Sequence, residues 1–339
     1  MEQTGIGAER PQDQPPEALA GTVPEAPEKS QATARRGNER LLFLAVGAYA
    51  ALIVFLMIDR GVSITPDVLA VAFLLVAIYV GRPLLFLRDW IPFIVLFLAY
   101  ELMRGIADNA GFPVHMADVV AIERTIAFGH LPSQIIQDIF DPTHGVNGWT
   151  ILATIVYMLH FVLPLVTALL LWLWRRPIFY RYVTAFIVLS MAGFVTFVLL
   201  PVAPPWMAAQ DGVLNGPDGR PVISYLKPEA FTALANALGF NGTWLTSYTF
   251  YQVNPNGVAA FPSLHAGYPF LSFLVLRHAF GKVGWLAFGY FCLAAFSIIL
   301  TGDHYLVDVI GGVVFASGAY LLVAHPPRWL RAASARLAQ

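Results

Sequence analysis

Cysteine is all but missing from this chain. Cys292 stands alone inside an apolar run, so no intramolecular disulfide can form, and an apolar setting raises a thiol's pKa and makes it a poor nucleophile. Charge is scarce as well. Asp, Glu, Lys and Arg make up 12% of the 339 residues, about half the share of an ordinary soluble domain. The 20 basic and 21 acidic residues nearly cancel, and no basic stripe marks a nucleic-acid surface. His115, His130, His144, His278 and His325 stand in no pattern with acids or cysteines that would hold a metal, so neither metal nor cofactor is expected. No repeat is visible. No long apolar run precedes Leu41, too late for the layout of a signal peptide.

Apolar residues are what the chain has in excess, at 58% with a mean hydropathy of +0.65. That composition belongs to a membrane protein. Residues 1–40 are the exception. They hold 12 charged residues and five of the 24 prolines without apolar periodicity, and read as a disordered cytoplasmic tail. A helical membrane domain over 41–325 and a short cytoplasmic tail over 326–339 complete the expected organisation.

A bilayer core takes about 20 apolar residues per helix. The runs Leu41–Ile58, Thr65–Val80, Trp90–Met103, Trp149–Trp174, Phe179–Leu200, Phe261–Leu276, Val283–Leu300 and Tyr305–Ala324 predict an all-α bundle of about eight transmembrane helices. With eight spans, the arginine and lysine clusters at 35–40, 82–88, 175–181, 277–282 and 328–336 fall on one side, which makes that side cytoplasmic. The connections 104–148 and 201–260 then face outward. The first carries Val119, Val120, Ile126 and Ala127, then Ile135, Ile136 and Ile139, at helical spacing. It reads as two short amphipathic helices in the outer interface. The second is rich in Gly, Pro, Asn and Asp and reads as a lid-like loop.

Two outward stretches carry chemistry. In Thr301-Gly302-Asp303-His304-Tyr305-Leu306-Val307-Asp308, His304 and Asp308 are four apart and share a helix face. A carboxylate beside an imidazole fixes its tautomer, as a nucleophilic histidine requires. An acid inside an apolar run costs roughly 2.5–3.5 kcal/mol at the bilayer centre, so Asp308 is expected to be functional. In Pro262-Ser263-Leu264-His265, proline and serine open a helix, Ser263 can cap a free N–H, and such a start favours an anion beside His265. His160 lies inside the fourth span, either facing substrate or satisfied within the bundle. Trp206 either stacks on a headgroup or anchors at the interface.

These stretches resemble the type-2 phosphatidic acid phosphatase superfamily, which carries P-S-G-H followed by S-R-x5-H-x3-D. Ser297, His304 and Asp308 match that spacing, whereas Leu264 replaces the glycine and Ile298 the arginine, and the basic K-x6-R-P motif is not evident. The set Ala203-Pro204-Pro205-Trp206, Pro262-Ser263-Leu264-His265 and His304-Tyr305-x2-Asp308-x-Ile310-Gly311-Gly312 is similar to the inositolphosphotransferase (inositol phosphorylceramide synthase-like) branch. The resemblance implies a six-helix catalytic core in which His304 becomes a phosphohistidine, Asp308 orients it and His265 protonates the departing oxygen. It implies that Ser263 helps to hold phosphate, with Pro205 and Trp206 on the substrate side. A cation must stand in for the missing arginine. Among Arg104, Arg124, Arg220 and Lys227 the first choice is Arg104, at the end of a span with Glu101 one turn before it.

The expected function is transfer of a phospho-headgroup such as phosphoinositol between membrane lipid or alcohol acceptors, with the site on the outer side of the plasma membrane. With water as acceptor the same site is a lipid phosphate phosphatase. A non-catalytic scaffold or transporter is the rival from another class.

Overall fold

A computed structural model describes residues 66–107, 111–141, 145–246 and 257–327. The expected tail over 1–40, the first expected span Leu41–Ile58 and the residues after 327 lie outside the described residues. Among the described residues the fold is all-helical, without strands. The helices are α1 Pro66–Tyr79, α2 Pro83–Ala107, α3 Ala117–Ile126, α4 Pro132–Phe140, α5 Gly148–Trp174, α6 Arg176–Leu199, α7 Pro205–Gln210, α8 Lys227–Ala237, α9 Gly242–Thr246, α10 Leu264–Phe280, α11 Trp285–Leu300 and α12 Leu306–Ala324. Isolated bridges join His115 to Val202 and Val202 to Ala259.

Three helical stretches are long and apolar enough to cross a membrane, namely Arg176–Leu199, Leu264–Leu300 and Leu306–Ala324. The halves of α5, bent by 45°, make a fourth if taken as one span. The stretch Leu264–Leu300 folds back on itself as α10 and α11. Phe270 meets Phe291 at 5.1 Å and Phe273 meets Phe288 at 5.0 Å between ring centroids, an antiparallel register. Gly281 turns the corner at φ 62°, a conformation that side chains disfavour.

Local sequence explains the helix starts. Asn147 opens α5 with a capping box. Its Oδ1 accepts the N–H of Trp149 at 2.7 Å and of Thr150 at 3.1 Å, and Thr150 Oγ1 accepts the N–H of Asn147 at 2.9 Å. Ser263 caps α10, its hydroxyl accepting the N–H of Ala266 at 3.3 Å. The two short helices expected in the first outer connection are α3 and α4. Val119 and Val120 face the core, and Ile135 and Ile139 are exposed. The second connection differs from the expected loop, because it holds α7, α8 and α9. Pro205 and Pro228 sit in the first turns of α7 and α8, where proline is pre-set for helix.

Helix α10 is the centre of the bundle and packs against α5, α6, α11 and α12. Towards the far end from its N-terminus, Asp89 of α2 ties the helices together. Its carboxylate accepts from Trp172 Nε1 at 3.0 Å, from Arg176 at 2.6 and 2.9 Å and from the Tyr180 hydroxyl at 2.7 Å. A buried carboxylate needs such satisfaction.

Candidate active site

The starts of α10 and α12 lie side by side, and their contact is close. A Cβ on Gly312 would stand 2.3 Å from the carbonyl oxygen of Ser263, so only glycine lets the two backbones approach this far. The N–H of Ser263 donates to the carbonyl of Asp308 at 3.0 Å. Ser263 is fully buried with its hydroxyl engaged in the cap, and it joins the helix starts instead of lining the cavity.

This junction aligns the expected pair. His304 Nδ1 is 3.4 Å from Asp308 Oδ2, which also accepts the N–H of Tyr305 at 2.8 Å. His304 Nε2 faces Nδ1 of His265 at 3.0 Å. Asp308, His304 and His265 therefore form one line of hydrogen-bonding groups. His304 and His265 open on a cavity whose walls come from α2, α5, α6, α7, α8 and α10 and from the loops before α7, α8, α10 and α12. One part of that wall is apolar, with Phe97, Leu165, Phe186, Phe197 and Leu264. The leucine that replaces the usual glycine thus belongs to the apolar wall, packed against Gly193. Ile298, in the arginine's position, is buried in the core beside Tyr157 and Phe231.

Beside the histidines is a polar group that spacing did not suggest. Lys227 Nζ donates to Asp303 Oδ1 at 2.6 Å and lies 3.8 Å from the centre of the Tyr157 ring. Its side chain is 2% exposed. Burial lowers its pKa, but the Asp303 carboxylate together with Tyr157 and Tyr225 outweighs that cost and holds it above the ordinary lysine range. The cavity therefore has a permanent positive charge on its wall, partly balanced by Asp303.

Tyr157 also stacks on His265 at 4.6 Å, and the His160 ring is 4.0 Å from the His265 ring. His160 Nδ1 is anchored on the carbonyl of Tyr157 at 2.5 Å. His160 thus belongs to the site, as a neighbour of His265. Trp206 lines the cavity and stacks on Tyr225 at 4.4 Å, and its backbone N–H donates to the carbonyl of Gly302 at 3.1 Å. Pro205 is buried in the first turn of α7 and does not line the cavity. Arg220 is exposed near Asp218, and Arg124 is exposed on α3. The side chain of Arg104, in α2, lies outside the described residues. Of the four cations weighed for the phosphate, Lys227 is the one that the described structure places on the cavity wall. No group of three or more His, Cys, Asp or Glu among the described residues is arranged to hold a metal.

A family model for the PAP2 superfamily matches residues 117–322, well over half of the chain. The chain belongs to the PAP2 superfamily. It is a membrane enzyme of the phosphatidic acid phosphatase type, and the matched region contains every residue of the site just described except those of α2. Among curated proteins it is similar to a phosphoinositol dihydroceramide synthase of Bacteroides thetaiotaomicron, 25% identical over 239 residues, 66% of this chain and 72% of that protein. It is also similar to the inositol phosphorylceramide synthase catalytic subunits of Schizosaccharomyces pombe and Saccharomyces cerevisiae. These are 27% identical over 51% of this chain and 25% identical over 68% of it. The chain spans only 39% and 55% of the length of those two fungal proteins. No solved structure matches it.

Proposed function

We propose that this PAP2 enzyme is a lipid phosphotransferase that moves a phospho-headgroup, phosphoinositol being the first candidate, from a donor phospholipid to a ceramide-like lipid or another alcohol. The observation that carries the reading is the line Asp308, His304, His265 at 3.4 and 3.0 Å on the wall of a cavity with an apolar side. Asp308 holds the Nδ1 proton of His304, which leaves Nε2 as the nucleophile. Nε2 bonds to phosphorus while the bond from phosphorus to the lipid alcohol oxygen breaks, and that oxygen takes a proton from His265. The acceptor hydroxyl then attacks the phosphohistidine, the P–N bond breaks, and the hydroxyl proton passes to His265. Lys227 supplies charge for the equatorial oxygens. Arg104 is kept as a second contributor and Ser263 as the residue whose backbone shapes the phosphate seat. Trp206 borders the headgroup, Pro205 fixes the start of the helix that carries it, and His160 supports His265.

The membrane setting proposed with this reading has eight spans, a cytoplasmic tail over 1–40, a catalytic domain over 41–325 and a second tail over 326–339. The site faces the extracytoplasmic side of the plasma membrane. Transfer is favoured over hydrolysis because the similar curated proteins are named as synthases. A scaffold has no use for a buried lysine and acid beside two histidines. The deciding experiment supplies the purified chain with labelled phospholipids, with and without ceramide or polyol acceptors. Headgroup-labelled product that needs the acceptor supports transfer. Release to water alone, as free phosphate from a monoester donor or headgroup phosphate from a diester donor, supports the phosphatase alternative, and no turnover with any donor sinks both.

A further inference from the structure

We infer that the two short helices α3 and α4 form a clamp on the backbone of the loop that carries His304, with Glu123 and Gln137 as its positioning residues. This rests on the catalytic role proposed above for His304. Glu123 is 1% exposed. Its Oε1 accepts the N–H of Leu306 at 2.9 Å and its Oε2 the N–H of Val307 at 3.0 Å. These are the first two amides of α12, which no helix can satisfy internally. The carboxylate thus caps, from 183 residues away, the turn that holds Asp308. Gln137 is fully buried. Its Nε2 donates to the carbonyl of Leu300 at 2.8 Å and to that of Ser224 at 2.9 Å, and its Oε1 accepts the N–H of Ser224 at 2.9 Å. Ser133 of α4 reaches the carbonyl of His304 at 3.5 Å. Between them, three side chains of α3 and α4 hold backbone atoms at both ends and at the middle of the segment from Leu300 to Val307.

The chemistry of Glu123 separates positioning from mere packing. Burial pushes its carboxyl pKa up, the two amide bonds pull it back, and the charge of Asp308 pushes it up again. Two buried carboxylates at one helix start oppose each other. A neutral cap could satisfy an amide without that repulsion. What a pair of negative groups favours is positive charge on the neighbouring imidazole, which His304 acquires when Nε2 bonds to phosphorus with Nδ1 still protonated. Neither Glu123 nor Gln137 lines the cavity, so neither should contribute to binding the donor.

The test uses the full chain in lipid nanodiscs, with steady-state kinetics, trapping of the phosphoenzyme from labelled donor, and thermal midpoints. Glu123→Gln should lower kcat and the rate of phosphoenzyme formation by about 10- to 100-fold, the range typical of residues that orient a reactive ligand. KM should stay within about twofold and the protein should stay folded, because no substrate contact is lost. Gln137→Leu, of similar size, should lower kcat in the same way and serves as the second variant if Glu123→Gln fails to fold. A folded Glu123→Gln protein with wild-type kcat overturns the inference. So does a loss confined to KM or to the fraction of folded protein, which is what a purely structural cap would give. Should the wild-type protein form no phosphoenzyme while turning over, the reading of His304 fails instead, and the two failures remain distinct.

Discussion

Nδ1 of His265 lies 3.0 Å from Nε2 of His304. A reacting phosphorus needs about 3–3.5 Å to the nucleophile alone before bonding starts, with the leaving oxygen beyond it. The two rings must therefore part when the donor enters. His304 is tied to Asp308, whereas His265 stacks on Tyr157 and lies against His160, so the two rings are held by different neighbours.

This division of roles predicts different losses at the two histidines. His265→Ala should slow phosphoenzyme formation from a lipid donor by about 100-fold or more, the usual worth of a general acid. A donor with a p-nitrophenol leaving group needs little protonation, so the deficit should shrink sharply with it. Rapid-quench trapping checks this, and an equal deficit with both donors would remove His265 from the acid role.

His304→Ala should abolish turnover and the acid-labile phosphoenzyme. Asp308→Asn should keep residual turnover, lowered on the order of 10³- to 10⁴-fold, as when the orienting acid of a triad becomes an amide. Incubation with EDTA should leave wild-type kcat unchanged. Near-normal activity in His304→Ala is the result that ends the phosphohistidine mechanism.

Lys227→Met should lower kcat on the order of 100-fold, the cost of one lost transition-state donor. It also leaves the Asp303 charge buried without its cation, which typically costs about 3–5 kcal/mol. Asp303→Asn in the same chain should recover folding, read as the thermal midpoint, but not kcat. Arg104→Ala measured in parallel apportions the cation role. Full activity in the Lys227→Met/Asp303→Asn protein, with loss in Arg104→Ala, would give that role to Arg104.

Gly312→Ala should destabilise the protein by about 1–3 kcal/mol, because the added methyl meets the Ser263 carbonyl and the helices must shift apart. Thermal unfolding in detergent reads this directly. An unchanged midpoint would mean that the junction is loose.

The sequence carried much of this site because its chemistry is local. Four residues between His304 and Asp308 already state a shared helix face, and Pro262-Ser263 already states a helix start. Short amphipathic helices α3 and α4 were legible from their apolar spacing. The short α7, α8 and α9 were not, since glycine and proline between them break any periodicity. The Lys227–Asp303 pair joins residues 76 apart, and Glu123 reaches α12 across a still larger separation. No local rule reports such contacts. A signal was nonetheless present in Asp303, a second acid next to His304 at the edge of an apolar run, which calls for a buried cation.

The Ser263–Gly312 contact also limits how the site can breathe. With the Ser263 amide bonded to the Asp308 carbonyl and no side chain at Gly312 to act as a spacer, α10 and α12 behave as a welded corner. Their separation sets a fixed floor for the cavity. Any widening of the cavity then falls to its other walls, among them the one that carries Trp206 and Lys227.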